Sequence, residues 1–298
     1  MRKTIVTSIL FGLLLASFLI GGFFFLNRPE LIIVDAVPPD EFPDNGFAHG
    51  TFESLLKRYV DSFGNVDYGK WHGNASDRSR LRQYLAAVSR FSPDNSTERF
   101  AKRSDALAYW IYGYNAYVIY SVLEHWPLES VTAVKAPIEA VTGLGFFYRQ
   151  RFLFGEEPLS LYAVEHQKIL AKFEDPRIHF ALNCASESCP VLRPELPTGD
   201  ELEGMLIQST RDFVNNSRNV FVDHDKKKIV LSTIFKWYRN DFINDLRRRG
   251  LPSERGVVDY VSEEATPELK IDLDIAKHYE VVFEDYDWSL NNSSSMAH

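Results

Sequence analysis

The residues that could do chemistry crowd into one stretch, Arg177 to Pro190, which holds the only two cysteines of the 298-residue chain, Cys184 and Cys189. A thiolate attacks an acyl carbon when a histidine takes and returns the proton and a carboxylate or amide orients that histidine. His179 lies just before the cysteines, and Glu165, His166 and Asn115 supply the further group types such a site needs. The apolar run Ile178–Leu182 predicts a buried strand ending at Cys184. Pro190 predicts a helix start beside Cys189, where backbone N–H groups and the helix dipole favour thiolate. Cys189 is therefore the first choice of nucleophile and Cys184 the second, with His179 as base. The backbone N–H groups of Ala185–Cys189 are candidates for an oxyanion hole.

Two other chemistries fit the same residues. Outside the cytoplasm, two cysteines commonly pair, and a Cys184–Cys189 disulfide would close a short loop worth about 2 kcal/mol. Two cysteines with His166 and His179 also have the residue types of a zinc site, although the four-residue spacer is not the usual two-residue knuckle. The sequence leaves the three open. It shows no phosphate-binding glycine loop and no carboxylate-rich metal loop, so no cofactor is expected.

The elements that must position these groups lie in a chain of mixed character. Hydrophobic residues make up 45% of it, enough for a full core, and the formal net charge of −8 argues against a nucleic-acid binder. Arg2 and Lys3 precede an uncharged apolar run, Ile5–Leu26, long enough to span a bilayer core. It predicts a single-pass anchor or signal over residues 1–28, with the rest of the chain on the extracytoplasmic, periplasmic side of the cell membrane. Residues 29–46, rich in proline and acid, read as a linker, 47–290 as one globular domain, and 291–298 as a disordered tail.

Within the domain, helical periodicity runs from Phe52 to Phe63, from Leu81 to Val88, from Asp105 to Glu124 and from Leu159 to Leu170, with Ser160 as N-cap. Further helices are expected from about Asp200 to Val214, from Ser232 to Leu246 and from Gly256 to Glu264. Strands are expected within Phe146–Phe154, at Asn219–Val222, at Lys228–Leu231 and at Tyr279–Phe283. Such a mixture predicts an α+β fold, one domain of helices on a small, mostly antiparallel sheet.

Several segments resemble domain-of-unknown-function family 547. Tyr109–Tyr117 is similar to that family's aromatic helix with its Asn-Ala pair, Val164-Glu165-His166 to its Ile-Glu-His element, and Asp175–Pro190 to its most recognisable segment. Val66-Asp67-Tyr68 and Tyr286–Asn291 match further pieces, so the resemblance covers Phe47 to Asn291. Gly113 departs from it, standing where the family usually carries asparagine. The resemblance implies no established reaction. A more distant likeness is to papain-like and transglutaminase-like thiol folds in circularly permuted order. The residues themselves lead to two expectations. One is a membrane-anchored, thiol-dependent hydrolase or acyl transferase acting on amides or esters. The other is an envelope-binding module for a peptide, glycan or small molecule, with cross-linked cysteines.

Overall fold

The computed structural model describes residues 16–40 and 42–293. The fold is α+β, and its helices surround two separate three-stranded sheets. Strand β1 (Glu30–Leu31) leads to helices α1 (Gly50–Tyr59), α2 (Tyr68–Gly73), α3 (Ala75–Arg90) and α4 (Arg103–Glu124). A π-helical turn, Leu144–Arg149, enters the β2 (Gln150–Phe154) and β3 (Glu157–Leu159) hairpin. Helix α5 follows as three continuous pieces, Leu161–Ala163, the π-helical Val164–Leu170, and Ala171–Phe173. Ser160 caps it by accepting the Ala163 N–H, as its sequence position predicts. After the cysteines come α6 (Glu201–Val214), the hairpin β4 (Val220–Asp223) and β5 (Lys228–Leu231), α7 (Thr233–Trp237), α8 (Arg239–Arg248), α9 (Val257–Glu264), α10 (Pro267–Ile275) and β6 (Glu280–Phe283).

The sheets are mixed rather than mostly antiparallel. β2–β3 and β4–β5 are antiparallel hairpins, while β1 joins β2 and β6 joins β5 in parallel. Hairpins close locally, whereas strands arriving from distant parts of the chain are free to add in parallel.

Helix α4 is the axis of the first core. Every residue from Leu107 to Leu123 is buried, so the helix is apolar on all sides and must be enclosed. Its tyrosines stay inside because their hydroxyls find backbone carbonyls: Tyr109 donates to Val88 O and Tyr117 to Leu153 O, each at 2.8 Å. A second core gathers Phe213, Phe235, Phe242 and Tyr260 around the β4–β5–β6 sheet.

Ile178–Leu182, expected as a strand, is instead part of a 3-10 turn over Pro176–Phe180 and its exit. Asp175 accepts the Arg177 N–H and Pro176 occupies the first position, a start that curls the chain. The apolar residues are nonetheless buried, because the turn deals them to two sides: Ile178 and Leu182 enter the first core and Phe180 the second. No helix starts at Pro190. The chain stays extended or irregular up to Glu201, past Pro194 and Pro197, each of which disfavours helix in the residue before it.

Residues 29–46 are not a free spacer. Ile32 N–H donates to Arg151 O at 2.8 Å, Arg99 donates to Pro43 O at 2.7 Å, and Phe42 stacks on Phe91. At the other end, Asn291 is 4% exposed and accepts from Tyr68 Oη at 3.1 Å, so the domain extends past 290. Residues 294–298 of the expected tail lie outside the described residues. So do residues 1–15, most of the expected anchor; residues 16–26 are helical, with Phe18, Phe24 and Phe25 exposed. Among the described residues no helix is long and apolar enough to cross a membrane.

His49 gives the first core a pH dependence. It is 6% exposed, bonded through Nδ1 to Tyr84 Oη at 2.8 Å, and burial lowers its pKa to about 3. The folded state holds it neutral, whereas the unfolded chain binds a proton near pH 6.5. Its contribution is therefore full above about pH 6.5 and is lost as pH falls towards 3, at about 1.4 kcal/mol per pH unit. Urea titrations between pH 6 and 4 should come close to this slope in the native chain and show a flatter one in His49→Phe; equal slopes would sink the assignment.

Candidate functional site

The two cysteines are bonded to each other, closing the loop from Cys184 to Cys189 with Cα atoms 6.2 Å apart. The loop's conformation does not depend on that bond alone. Ala185 adopts a left-handed φ of 61°, and Asn183 Oδ1 holds it by accepting the Ala185 N–H at 2.9 Å. Cys189 N–H donates to Ser186 O at 3.0 Å, and Cys184 N–H donates to Cys189 Sγ at 2.9 Å.

Outside the loop, the strap of residues 286–292 runs alongside. Glu187 N–H donates to Ser289 O at 2.8 Å, Asn291 N–H to Ala185 O at 3.3 Å, and Asp287 N–H to Ser188 Oγ at 2.9 Å. These bonds revise the oxyanion-hole expectation. The N–H groups of Ala185, Glu187, Ser188 and Cys189 are all committed, leaving little for a substrate oxygen.

Asn115 fixes the loop from the side of α4. Its Oδ1 accepts the Asn183 N–H at 2.9 Å, and its Nδ2 donates to Ala181 O at 3.0 Å. It is a positioning residue for the segment that carries the cysteines, 4% exposed and bonded at both polar atoms of its side chain.

Besides the Cys184 N–H on Cys189 Sγ, the partners of the two sulfurs are hydroxyls. Tyr286 Oη lies 3.0 Å from Cys184 Sγ and 3.1 Å from Cys189 Sγ, and Ser186 Oγ is 2.8 Å from that same Oη. Among the described residues, neither sulfur hydrogen-bonds to a histidine. His179 is 4% exposed, stacks on Tyr238 at 3.7 Å and bonds through Nε2 to Asp241 Oδ2 at 2.9 Å. His166 sits in a surface stack on Tyr162, which in turn stacks on Tyr148. Glu165, on the π-helical part of α5, accepts from Tyr238 Oη at 2.5 Å.

Tyr238 thus joins Glu165 and His179, Asn115 holds the chain just ahead of the cysteines, and His166 stands apart. Burial, reinforced by the Glu165 carboxylate, pushes the Tyr114, Tyr238 and Tyr286 hydroxyls up, so they are proton donors rather than phenolates.

Tyr286 is the site residue that sequence reasoning missed. The sequence offered it only within Tyr286–Asn291, a segment that resembles the family, and it packs on Trp237 and Trp288 at 4.7 and 4.5 Å. The zinc reading needs free thiolates, and both sulfurs are committed to each other. Among the described residues, no three or more His, Cys, Asp or Glu side chains are arranged to hold a metal.

The disulfide borders a cleft of about 590 Å³. Cys189 and Ser186 form one wall with Asn183, and α6 and the turn after it form the other with Ser209, Asn216 and Asn219. Its charges are paired: Arg193 with Asp212, and Arg218 with Glu187 at 3.4 Å. A more open depression of about 740 Å³ between α6 and α9 contains neither cysteine nor histidine.

This is an α+β domain built around a cross-linked loop, and the comparison with protein families agrees with the motifs. Residues 98–214 match the family model described as "Protein of unknown function, DUF547". The match takes in α4, the Glu165 element and the cysteine loop. Val66-Asp67-Tyr68 and the 286–291 strap lie outside it. No curated protein and no solved structure is significantly similar to the chain.

Proposed function

We propose that the domain is a ligand-binding module of the cell envelope that takes an extended peptide segment in the cleft beside Cys189, with the apolar N-terminal run as its membrane tether. The observation that carries this is the cleft itself, shaped by the cross-linked loop, where the amides and hydroxyls of Asn183, Ser186, Ser209 and Asn216 are set among the apolar side chains of Phe63, Pro190 and Val191. Amide side chains both donate and accept, which suits the alternating N–H and C=O groups of a peptide backbone. The paired charges leave no net charge for an anion or cation to seek. A thiol hydrolase or acyl transferase would need the disulfide opened and a histidine brought to a sulfur.

Retention of an envelope-peptide library on the immobilised full-length chain tests the reading. Val191 lines the cleft and is 46% exposed, so Val191→Trp should block the mouth without disturbing a core. The expected result is selective retention that falls at least about tenfold in the variant, a change of about 1.4 kcal/mol. Retention of glycans in place of peptides, or of peptides equally by both proteins, rejects it. On the same sample, iodoacetamide should label neither cysteine until a reductant is added; fast labelling of one cysteine beforehand would favour the hydrolase.

A further inference from the structure

We propose that Cys184–Cys189 is an exchangeable disulfide that oxidises cysteine thiols of polypeptides held in the cleft. The proposal rests on the cleft reading for its substrate and on the sulfur environment for its chemistry.

The two sulfurs are not equivalent. Cys189 lines the cleft, whereas Cys184 does not and has both hydroxyls, Ser186 and Tyr286, within 3.3 Å. Ser186 donates its single proton to Tyr286 Oη, which leaves the Tyr286 proton free to point at a sulfur. A disulfide sulfur is a weak acceptor and a thiolate a strong one, so this half-buried donor is better satisfied once the bond is open. Stabilising the reduced form is what makes a disulfide an oxidant.

Opening the bond also leaves the surroundings in place. The strap is paired to the loop through backbone and Ser188 bonds, and Asn115 holds the chain just ahead of it.

The exchange balances as follows. A substrate thiolate attacks Cys189 Sγ from the cleft. The S–S bond breaks, and its electron pair leaves on Cys184 Sγ, 3.0 Å from the Tyr286 hydroxyl. A second substrate thiolate then attacks the substrate sulfur of the mixed disulfide. That bond breaks, and Cys189 leaves as a thiolate facing the Cys184 N–H at 2.9 Å. Two substrate thiols become one disulfide, their two protons are released on ionisation, and the loop holds the two electrons as a reduced pair. A low-molecular-weight disulfide such as oxidised glutathione restores the loop by the reverse exchange.

The test equilibrates the full-length chain with reduced and oxidised glutathione and counts free thiols by maleimide gel shift. A measurable midpoint is expected in the folded protein. Tyr286→Phe should move the equilibrium constant about tenfold towards the disulfide, the loss expected for one hydrogen bond to a charged sulfur. Among single-cysteine variants, Cys184→Ser should form a mixed disulfide with a thiopyridyl-activated cysteine peptide at least about tenfold faster than Cys189→Ser, because only Cys189 faces the cleft.

A disulfide that stays closed in excess reduced glutathione while the chain remains folded overturns the proposal, as does an equilibrium indifferent to Tyr286→Phe. If the single-cysteine variants do not fold, the wild-type and Tyr286→Phe titrations decide alone. Binding of a cysteine-free peptide is measured separately, so failed exchange with intact binding rejects only the exchange, and loss of both rejects the cleft.

Discussion

Asn115→Leu is expected to destabilise the protein by about 3 kcal/mol, because it strips the partners from two buried backbone groups at once. The Asn183 N–H and the Ala181 carbonyl both bond to the Asn115 side chain, and leucine has the volume but neither the donor nor the acceptor. Chemical denaturation checks the size of the loss. Amide exchange checks its location, since Asn183 should lose protection before α4 does. Asn115→Asp should restore only half of the pairing: its carboxylate can accept from Asn183 but sets an oxygen against the Ala181 carbonyl. A loss below about 1 kcal/mol in Asn115→Leu would mean that the cysteine segment is held by something else.

Gly113→Asn, which restores the residue usual in the family the chain resembles, should cost about 3 kcal/mol or more. A Cβ at this position would lie 3.1 Å from Phe154 Cε1 and 3.3 Å from Val88 Cγ1, side chains fully buried on β2 and α3. Asparagine adds to that crowding an amide set against the apolar side chains of Phe154 and Val88. Gly113→Ala is the informative contrast. It gains about 1 kcal/mol of helix propensity and must move its two neighbours only slightly, so it should stay near neutral. If Gly113→Asn melts with the wild type, this packing is not what accommodates glycine here.

Much of the helical frame was legible because its apolar residues repeat at helical spacing, as in α1 and α6, and because Ser160 caps where a serine should. The β4–β5 hairpin was legible as two apolar runs around a polar turn. The misses have separate physical causes. In Ile178–Leu182, β-favouring residues mark burial, and burial was mistaken for a strand; two cores on opposite sides of a 3-10 turn bury such residues equally well.

The helix expected from Ser232 to Leu246 breaks at Tyr238, the residue that stacks on His179 and reaches Glu165. Helix α10 was overlooked because only Leu273 is buried while Ile271 and Ile275 are exposed, which leaves no apolar face to read; its signals were the Thr266 cap and Pro267. Asn115 could be picked out as a site residue but not given its bonds. Tyr286 could not be placed near the cysteines because no local pattern carries a contact across about a hundred residues. The pairing of Cys184 with Cys189 was one of three readings, and the coordinates choose it.

Because Ile178 and Leu182 belong to one core and Phe180 to the other, five consecutive residues stitch the molecule together. The family match ends at residue 214, yet Phe180 packs there not only on Phe213 but also on Phe235 and Phe242 beyond that limit. The recognisable segment is therefore not an autonomous folding unit. Excised at its own boundaries, it would present one side of its central turn to water, and a truncation series should lose cooperative melting as soon as the cut passes α8.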